Sequence, residues 1–471
     1  MREFAAKPKK FNDDDIRDEF QRDRDRILYS KPFRRLSGKT QVFFVGTDDH
    51  IRTRLTHTLE VNQIANTISS YLGLNTTLTE AIALGHDIGH APFGHAGERV
   101  LNSIMNGEDS INEKLIKLDE IRDKDKGFKH NLQALRILKD LTMSYKRTYG
   151  LDISKKTLWG IVNHSSLRYE EDSKLGFYDR YLRDLDDNED RSIEALVVKD
   201  ADEIAQRHHD IEDAIELELI PKKKLLEKIK EVFKEELDKK KMYKSIIKRI
   251  EYEDLSKNEL ITNYSKLIVD LYVSEYIESL ENLFMELNEK KEICQNEFKV
   301  YDKNNHLKEF CREMLIEKGT GFSIEFKKKD EKFQDFLKNA VLSSQSVQMM
   351  DGKGKYIIRK LFQAYFTNPQ QMPDKTIKTF LRNIGVLLGI QIKQEDILPS
   401  FIRNEIEKYH GDILKEKEEN KEIDVFGKFL EREITIYEYK IVLMRTITDY
   451  IAGMTDKYAL KQYEILYGTV Y

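Results

Sequence analysis

Seven prolines in 471 residues leave very little in this chain that forbids a helix. Glycine is scarce too, at 22, while Leu, Ile, Glu and Lys abound, so the chain seldom turns sharply and propagates helix between turns. The expectation is an all-α protein. At 40% hydrophobic it can bury a large core, and 35% charged residues with a net charge of −5 describe a mixed surface. Mixed signs exclude the global basic field of a nucleic-acid binder and leave only local basic surfaces. Cys294 and Cys311 lack a CxxC partner and read as reduced thiols. The N-terminal MREFAAKPKKFNDDD has no apolar signal region, and no apolar run approaches the roughly 18 residues of a membrane span, so a cytoplasmic protein without a membrane partner is expected.

Along the chain, Pro32 opens a short helix carrying Phe33 and Leu36, followed by the apolar pair Phe43 and Phe44. Leu55, Leu59, Ile64, Ile68 and Leu72 recur at helical spacing, with Gly73 as a stop. Thr79 is a candidate cap for a helix holding Ile82, Ala83 and Leu84, which Gly89 and Pro92 end. From Ile193, IEALVVKDADEIAQRHHDIEDAIEL reads as one long helix. The Lys/Glu-rich stretch from Pro221 to Asp254 reads as a solvated face, and 255–300 resume an apolar periodicity. FSIEFKK from Phe322 alternates like a short strand, so one short β-hairpin is allowed. Gly352 and Gly354 suggest a turn, LFQAYF and 377–390 are helical, 404–421 are charged and exposed, and the amphipathic end from Glu438 packs back on the body.

Five of the eleven histidines, at 50, 57, 86, 90 and 95, fall within 46 residues, three of them in GHDIGHAPFGHAGE. His86 and Asp87 sit near a helix end, where neighbouring side chains can converge on one ion, and His57 on the preceding helix supplies a third ligand. A lone histidine is more often a packing residue; a buried imidazole and carboxylate cluster is costly without a cation. The donors are N and O, which suits Mn, Mg, Fe or a catalytic Zn, with Mn or Mg favoured. Asp202 shares a helical face with Gln206 and Asp210, and the pattern alone admits either a fourth ligand or a plain exposed acidic face.

The blocks FQRDRDRILYSKPFRRLSGKTQVF, RTRLTHTLEV, LTEAIALGHDIGHAPFGHAGE, KDADEIAQRHHDIEDAI and DYIAGMTDKYA resemble those of the HD-domain deoxynucleoside triphosphate triphosphohydrolases, the bacterial dGTPase-like family. The resemblance implies an HD helical bundle over 1–220, a helical accessory and oligomerisation region over 221–435, and C-terminal helices over 436–471. Its H…HD…D pattern makes His57, His86, Asp87 and Asp202 the metal ligands. It also implies catalytic roles for His90, His95, Glu98 and His130. Gln41, Val42 and Asp210 would line the sugar site, and Arg54 would approach the α-phosphate. Gln206 stands where the family often has a tyrosine, and Glu203 where some relatives carry a phosphate-binding lysine.

The implied reaction is hydrolysis of a deoxynucleoside triphosphate, dGTP or several, to the deoxynucleoside and inorganic triphosphate. His95, oriented by Glu98 three residues on, is the expected proton carrier, although Glu98 can also be read as a helix cap and His164 as a packing residue. The implied partners are the dNTP substrate, a dNTP activator and further copies of the chain in a hexamer or tetramer. Two other readings are a phosphohydrolase of cyclic or hyperphosphorylated guanine nucleotides, and a non-catalytic regulator. The lysine-rich 222–248 would serve the latter as a surface for single-stranded nucleic acid.

Overall fold

Short polar side chains start most of the helices. Asp18 and Gln21 form a reciprocal capping box at α1 (Glu19–Leu28), and Ser30 caps α2 (Lys31–Arg35) with Pro32 in its first turn. Thr53 and Thr56 cap α3 (Arg54–Leu72), which ends on Gly73 at φ 69°, the left-handed stop expected there. Asn75, not Thr79, caps α4 (Thr76–Gly85): its side chain accepts from Leu78 N. Thr79 lies one turn inside, where its hydroxyl donates to Asn75 O at 3.0 Å. In the computed structural model the described residues are 5–9, 16–41, 52–143, 149–166, 175–185, 191–297, 321–341, 343–390, 392, 397–430 and 432–468, without the side chains of 287–297, 428 and 429. Val42, Phe43, Phe44, His50, Cys311 and the side chain of Cys294 lie outside them.

The other main helices are α5 (Gly94–Asn106), α6 (His130–Arg136), α7 (Lys155–Asn163), α8 (Ile193–Glu216), α9 (Lys257–Glu297), α10 (Ile324–Val341), α11 (Gln345–Thr367), α12 (Asp374–Leu388), α13 (Pro399–Lys415), α14 (Ile436–Ala452) and α15 (Asp456–Tyr467). Glu422–Ile423 and Ile434–Thr435 pair as a two-stranded antiparallel hairpin. The fold is all-α, with this hairpin the one sheet among the described residues, and no described helix is long and apolar enough to cross a membrane.

Three local expectations are corrected. FSIEFKK is not a strand: Ser323 Oγ accepts from Phe326 N, and Phe326, Phe333, Leu337 and Val341 then bury one face of α10. The alternation covered only a cap and a first turn. Gly352 and Gly354 make no turn, because they lie inside α11, whose buried stripe of Val347, Gly354, Ile358, Leu361 and Tyr365 includes the second of them and leaves the first exposed. The charged 404–421 region is only half exposed, since Ile402, Ile406, His410 and Ile413 of α13 are buried.

Two apolar cores result. One gathers α3, α4, α7, α8, α9 and α10; the other gathers α5 with α11 to α15. The segment from His86 to Gly94 crosses between them: Ile88 packs in the first core, Ala91 and Phe93 in the second. Glycines let helices approach closely where the crossing is tightest. A Cβ on Gly85 would meet Ile161 Cδ1 at 2.4 Å, and one on Gly160 would meet Ile82 Cδ1 at 2.4 Å, so α4 and α7 each seat an isoleucine side chain directly on the other's glycine.

Polar pairs tie the cores together. Arg136 of α6 grips Asp449 of α14, Nη2 to Oδ2 at 2.6 Å and Nε to Oδ1 at 2.9 Å, and Gln133 Nε2 donates to the same carboxylate at 2.9 Å. The pair is buried, so truncating one partner strands the other's charge. Asp449→Ala should lower unfolding free energy by about 3–5 kcal/mol, read by urea denaturation; a loss near zero would contradict this role.

Candidate metal and catalytic site

The site forms where α3, the end of α4 and α8 meet the crossing segment. His57 on α3, His86 and Asp87 just past α4, and Asp202 on α8 converge. His57 Nε2 lies 2.9 Å from Asp202 Oδ1 and 3.9 Å from Asp87 Oδ2. His86 Nε2 lies 3.5 Å from Asp87 Oδ1 and 4.0 Å from Asp202 Oδ1. Bonds of about 2.1 Å to a common ion put neighbouring donors ~3.0 Å apart and opposite ones ~4.2 Å apart, and the four observed spacings fall in or close to that range.

Proton placement supports the same reading. His86 Nδ1 donates to Ala83 O at 2.7 Å, so the neutral ring presents a bare Nε2 lone pair, which has no hydrogen-bond partner and faces two carboxylates. On His57 the nitrogen that faces the carboxylates is Nε2, 2.9 Å from Asp202 Oδ1, while Nδ1 is buried on the other edge of the ring without a partner. A lone pair turned toward anions is stabilised by positive charge between them, a metal ion or a proton. His57, His86 and Asp87 form one of the buried groups whose ligand atoms can hold a metal. Asp202 keeps 26% of its side chain open to solvent, the side from which a ligand arrives.

Asp87 is the most heavily partnered of the four. Burial would raise its carboxyl, but Arg54, His86 and His90 outweigh burial and hold it well below the usual carboxylate range. Arg54 Nη1 donates to Oδ2 at 2.7 Å, and His90 Nε2 meets Oδ1 at 3.0 Å. Burial keeps the His90 ring well below the usual histidine range, hence neutral. It stacks on His130 with centroids 3.8 Å apart.

Beside this shell, Glu98 of α5 joins two histidines. Its Oε2 lies 3.0 Å from His95 Nδ1, and its Oε1 2.9 Å from His130 Nδ1 and 3.1 Å from the His130 backbone N. Glu98 turns away from the start of its own helix and instead accepts from the first backbone N–H of α6; it is 1% exposed, and although burial would raise it, His130 and His95 hold it well below the usual range. His95 is 63% exposed, its Nδ1 anchored and its Nε2 turned away from that anchor. A third polar group runs along α8: Gln41 Nε2 donates to Gln206 Oε1 at 3.3 Å, and Gln206 Nε2 to Asp210 Oδ1 at 2.7 Å. Burial pushes the Asp210 carboxyl up to about 6.

Three further residues belong to the site and were not singled out from the sequence. Lys39 is buried with its ammonium donating to the carbonyls of His90 and, at 2.9 Å, Ala452. Asp456 accepts from Thr40 N and Phe93 N, both at 3.0 Å. Together they clamp the crossing segment to the C-terminal helices, and both lie in the sequence blocks quoted above, the one signal that marks them. His209 packs its ring edge-on 5.1 Å from His57 and bonds Glu60, which walls off that side of the His57 ring. His164, read as packing, is buried against His130 and His86. A cavity of about 1550 Å³ lies apart from all of this, lined by Arg22, Arg26, Arg34, Arg35, Lys375 and Lys378 among others.

The HD domain family matches residues 54–207, and the phosphohydrolase-associated domain matches 320–383 and 429–465. The chain is 31% identical over 449 residues to a deoxyguanosinetriphosphate triphosphohydrolase-like protein of Leptospira interrogans, covering 95% of this chain and 89% of that one. A protein of the same description from Wolinella succinogenes is 32% identical over 410 residues, 86% of this chain and 96% of its own. One from Clostridium tetani reaches 44% over 211 residues, 45% and 50% of the respective chains. The chain belongs to this family of deoxyguanosinetriphosphate triphosphohydrolase-like HD-domain proteins.

Removing a donor should empty the shell without disturbing the cores. His86→Ala is expected to weaken Mn²⁺ binding at least ~100-fold by calorimetry; unchanged affinity would show that the ion is held elsewhere.

Proposed function

We propose that the chain hydrolyses deoxynucleoside triphosphates at the α-phosphorus, giving the deoxynucleoside and inorganic triphosphate. The observation that carries the reading is the placement of a solvent-facing His95, oriented by buried Glu98, next to a buried His/His/Asp/Asp shell. His57, His86, Asp87 and Asp202 would hold a divalent ion, which would supply Lewis-acid polarisation of a phosphoryl oxygen and activation of water near neutral pH.

The chain's own residues do the rest. Arg54, anchored on Asp87, offers its remaining N–H donors to α-phosphate charge, where a fixed guanidinium fork suits a phosphate. Cleavage of the bond to the 5′-oxygen expels an alkoxide, a poor leaving group that gains most from a proton. His95 carries that proton on Nε2, while Glu98 fixes its Nδ1 and stabilises the imidazolium. His130 fixes Glu98 from behind, and His90 fixes Asp87, so both are positioning groups here. Asp210 and Gln41, linked through Gln206, are the polar groups placed to read the sugar hydroxyl. The glutamine, where the family often has a tyrosine, replaces a stacking face with a hydrogen-bonding one. The cavity beside α1 and α2, lined by Arg22, Arg26, Arg34, Arg35, Lys375 and Lys378, would suit the phosphates of an activating nucleotide.

Each dNTP, singly and in pairs, incubated with Mn²⁺ or Mg²⁺, should release inorganic triphosphate and deoxynucleoside in equal amounts. His95→Ala should lower kcat by about 10²–10⁴-fold with Mn²⁺ still bound. Release of pyrophosphate, or conversion of a cyclic nucleotide to a linear monophosphate, would overturn the reading.

A further inference from the structure

His130 and His164 meet in a way that the proposed reaction does not use. His164 follows α7, and its Nδ1 lies 2.6 Å from Ile161 O. A carbonyl only accepts, so the proton sits on Nδ1 and Nε2 of the neutral ring is bare. On His130, Nδ1 lies 2.9 Å from the Glu98 carboxylate and donates there. Its Nε2 therefore carries no proton either, and its other polar neighbour is the Ser165 hydroxyl at 3.4 Å, a long contact beside the 3.2 Å approach of His164. The two Nε2 atoms face each other 3.2 Å apart between rings that are only 5% and 3% exposed. Two lone pairs at that distance repel unless positive charge lies between them.

A third donor points to the same place. A carboxylate oxygen of Asp87 and a ring nitrogen from each histidine all lie within 4.8 Å of one another, and all three residues are buried. They come from three separate elements, the end of α4, the start of α6 and the end of α7, so nothing local forces them together. Two bonds of about 2.1 Å at roughly 100° place their donor atoms ~3.2 Å apart, which is the separation observed. The neighbouring group of His90, His95, Glu98 and His130 is a poorer candidate. The Nδ1 atoms of His95 and His130 already donate to Glu98 there, and His95 is largely exposed.

We propose that His130, His164 and Asp87 hold a second divalent cation, with Asp87 as the carboxylate shared with the His57, His86, Asp87 and Asp202 shell. The mixed imidazole and carboxylate donors suit Mn²⁺, Fe²⁺ or Zn²⁺ rather than Ca²⁺. A shared carboxylate is consistent with paired ions about 3.5–4 Å apart. This rests on the metal part of the reading above and is independent of the substrate.

The test uses the full chain, stripped with chelator and retitrated with Mn²⁺ alone. Metal content is counted by mass spectrometry, and coupling between ions is read by electron paramagnetic resonance. Two Mn²⁺ per chain with an exchange-coupled spectrum are expected, falling to one Mn²⁺ with an isolated-ion spectrum in His164→Gln. A wild-type count of one overturns the second site and leaves the first, and a proton shared by His130 and His164 then explains their contact. A wild-type count of none overturns both. Two ions retained in a His164→Gln variant that melts cooperatively would place the second ion elsewhere. The wild-type count stands alone if that variant does not fold.

Discussion

The buried carboxylate of Asp87 is the group on which the rest of the site depends. Taking an anion out of water is costly unless partners surround it, and Asp87 is met by Arg54, His57, His86 and His90 within 4 Å. Those partners arrive from α3 on one side and from the crossing segment on the other. Removing Arg54 would leave that charge without its cationic partner where water cannot replace it, and removing a histidine would take away a ring that orients or shares it. The same concentration of donors makes the spot a cation site, since imidazole lone pairs beside carboxylates need positive charge between them. Stability and chemistry therefore impose the same requirement on these few residues.

That requirement explains the two cores. A segment carrying His86, Asp87 and His90 on one side, and His95 and Glu98 on the other, must be held at both ends. Ile88 anchors it in one core and Phe93 in the other. Gly89 lies so close to α6 that a Cβ would come 1.9 Å from His130 O, so this backbone contact admits no side chain. Lys39 and Asp456 bind the segment to the end of the chain, some 360 residues downstream of Phe93. The C-terminal helices thus serve the site without entering it, and the DYIAGMTDKYA block is legible as a clamp.

How much of this could be read in the sequence depends on the range of the interaction. Helices came through well, because capping residues, scarce proline and 3.6-residue periodicity are local, and α3, α8 and the end of α4 lie where the pattern put them. His57, His86 and Asp87 were legible from clustering alone. Asp202 was not, since one acidic residue on a helix looks the same whether it faces a metal or solvent; the resemblance raised it, and its 2.9 Å approach to His57 accounts for it. His164 was read as packing, and it is buried; its contact with His130, 34 residues away on another helix, left no mark in the local sequence. Lys39 carried no local sign that its ammonium would be buried against two carbonyls. FSIEFKK misled because five residues of alternation fit a strand, while the apolar positions that decide the helix lie further on.

The most direct test of the account is hydrolysis of dGTP in ¹⁸O-enriched water, with both products weighed by mass spectrometry. Attack at the α-phosphorus, with His95 protonating the departing 5′-oxygen, places one ¹⁸O in inorganic triphosphate and none in deoxyguanosine. Label in the deoxyguanosine 5′-hydroxyl, or products consisting of dGMP and pyrophosphate, would contradict it.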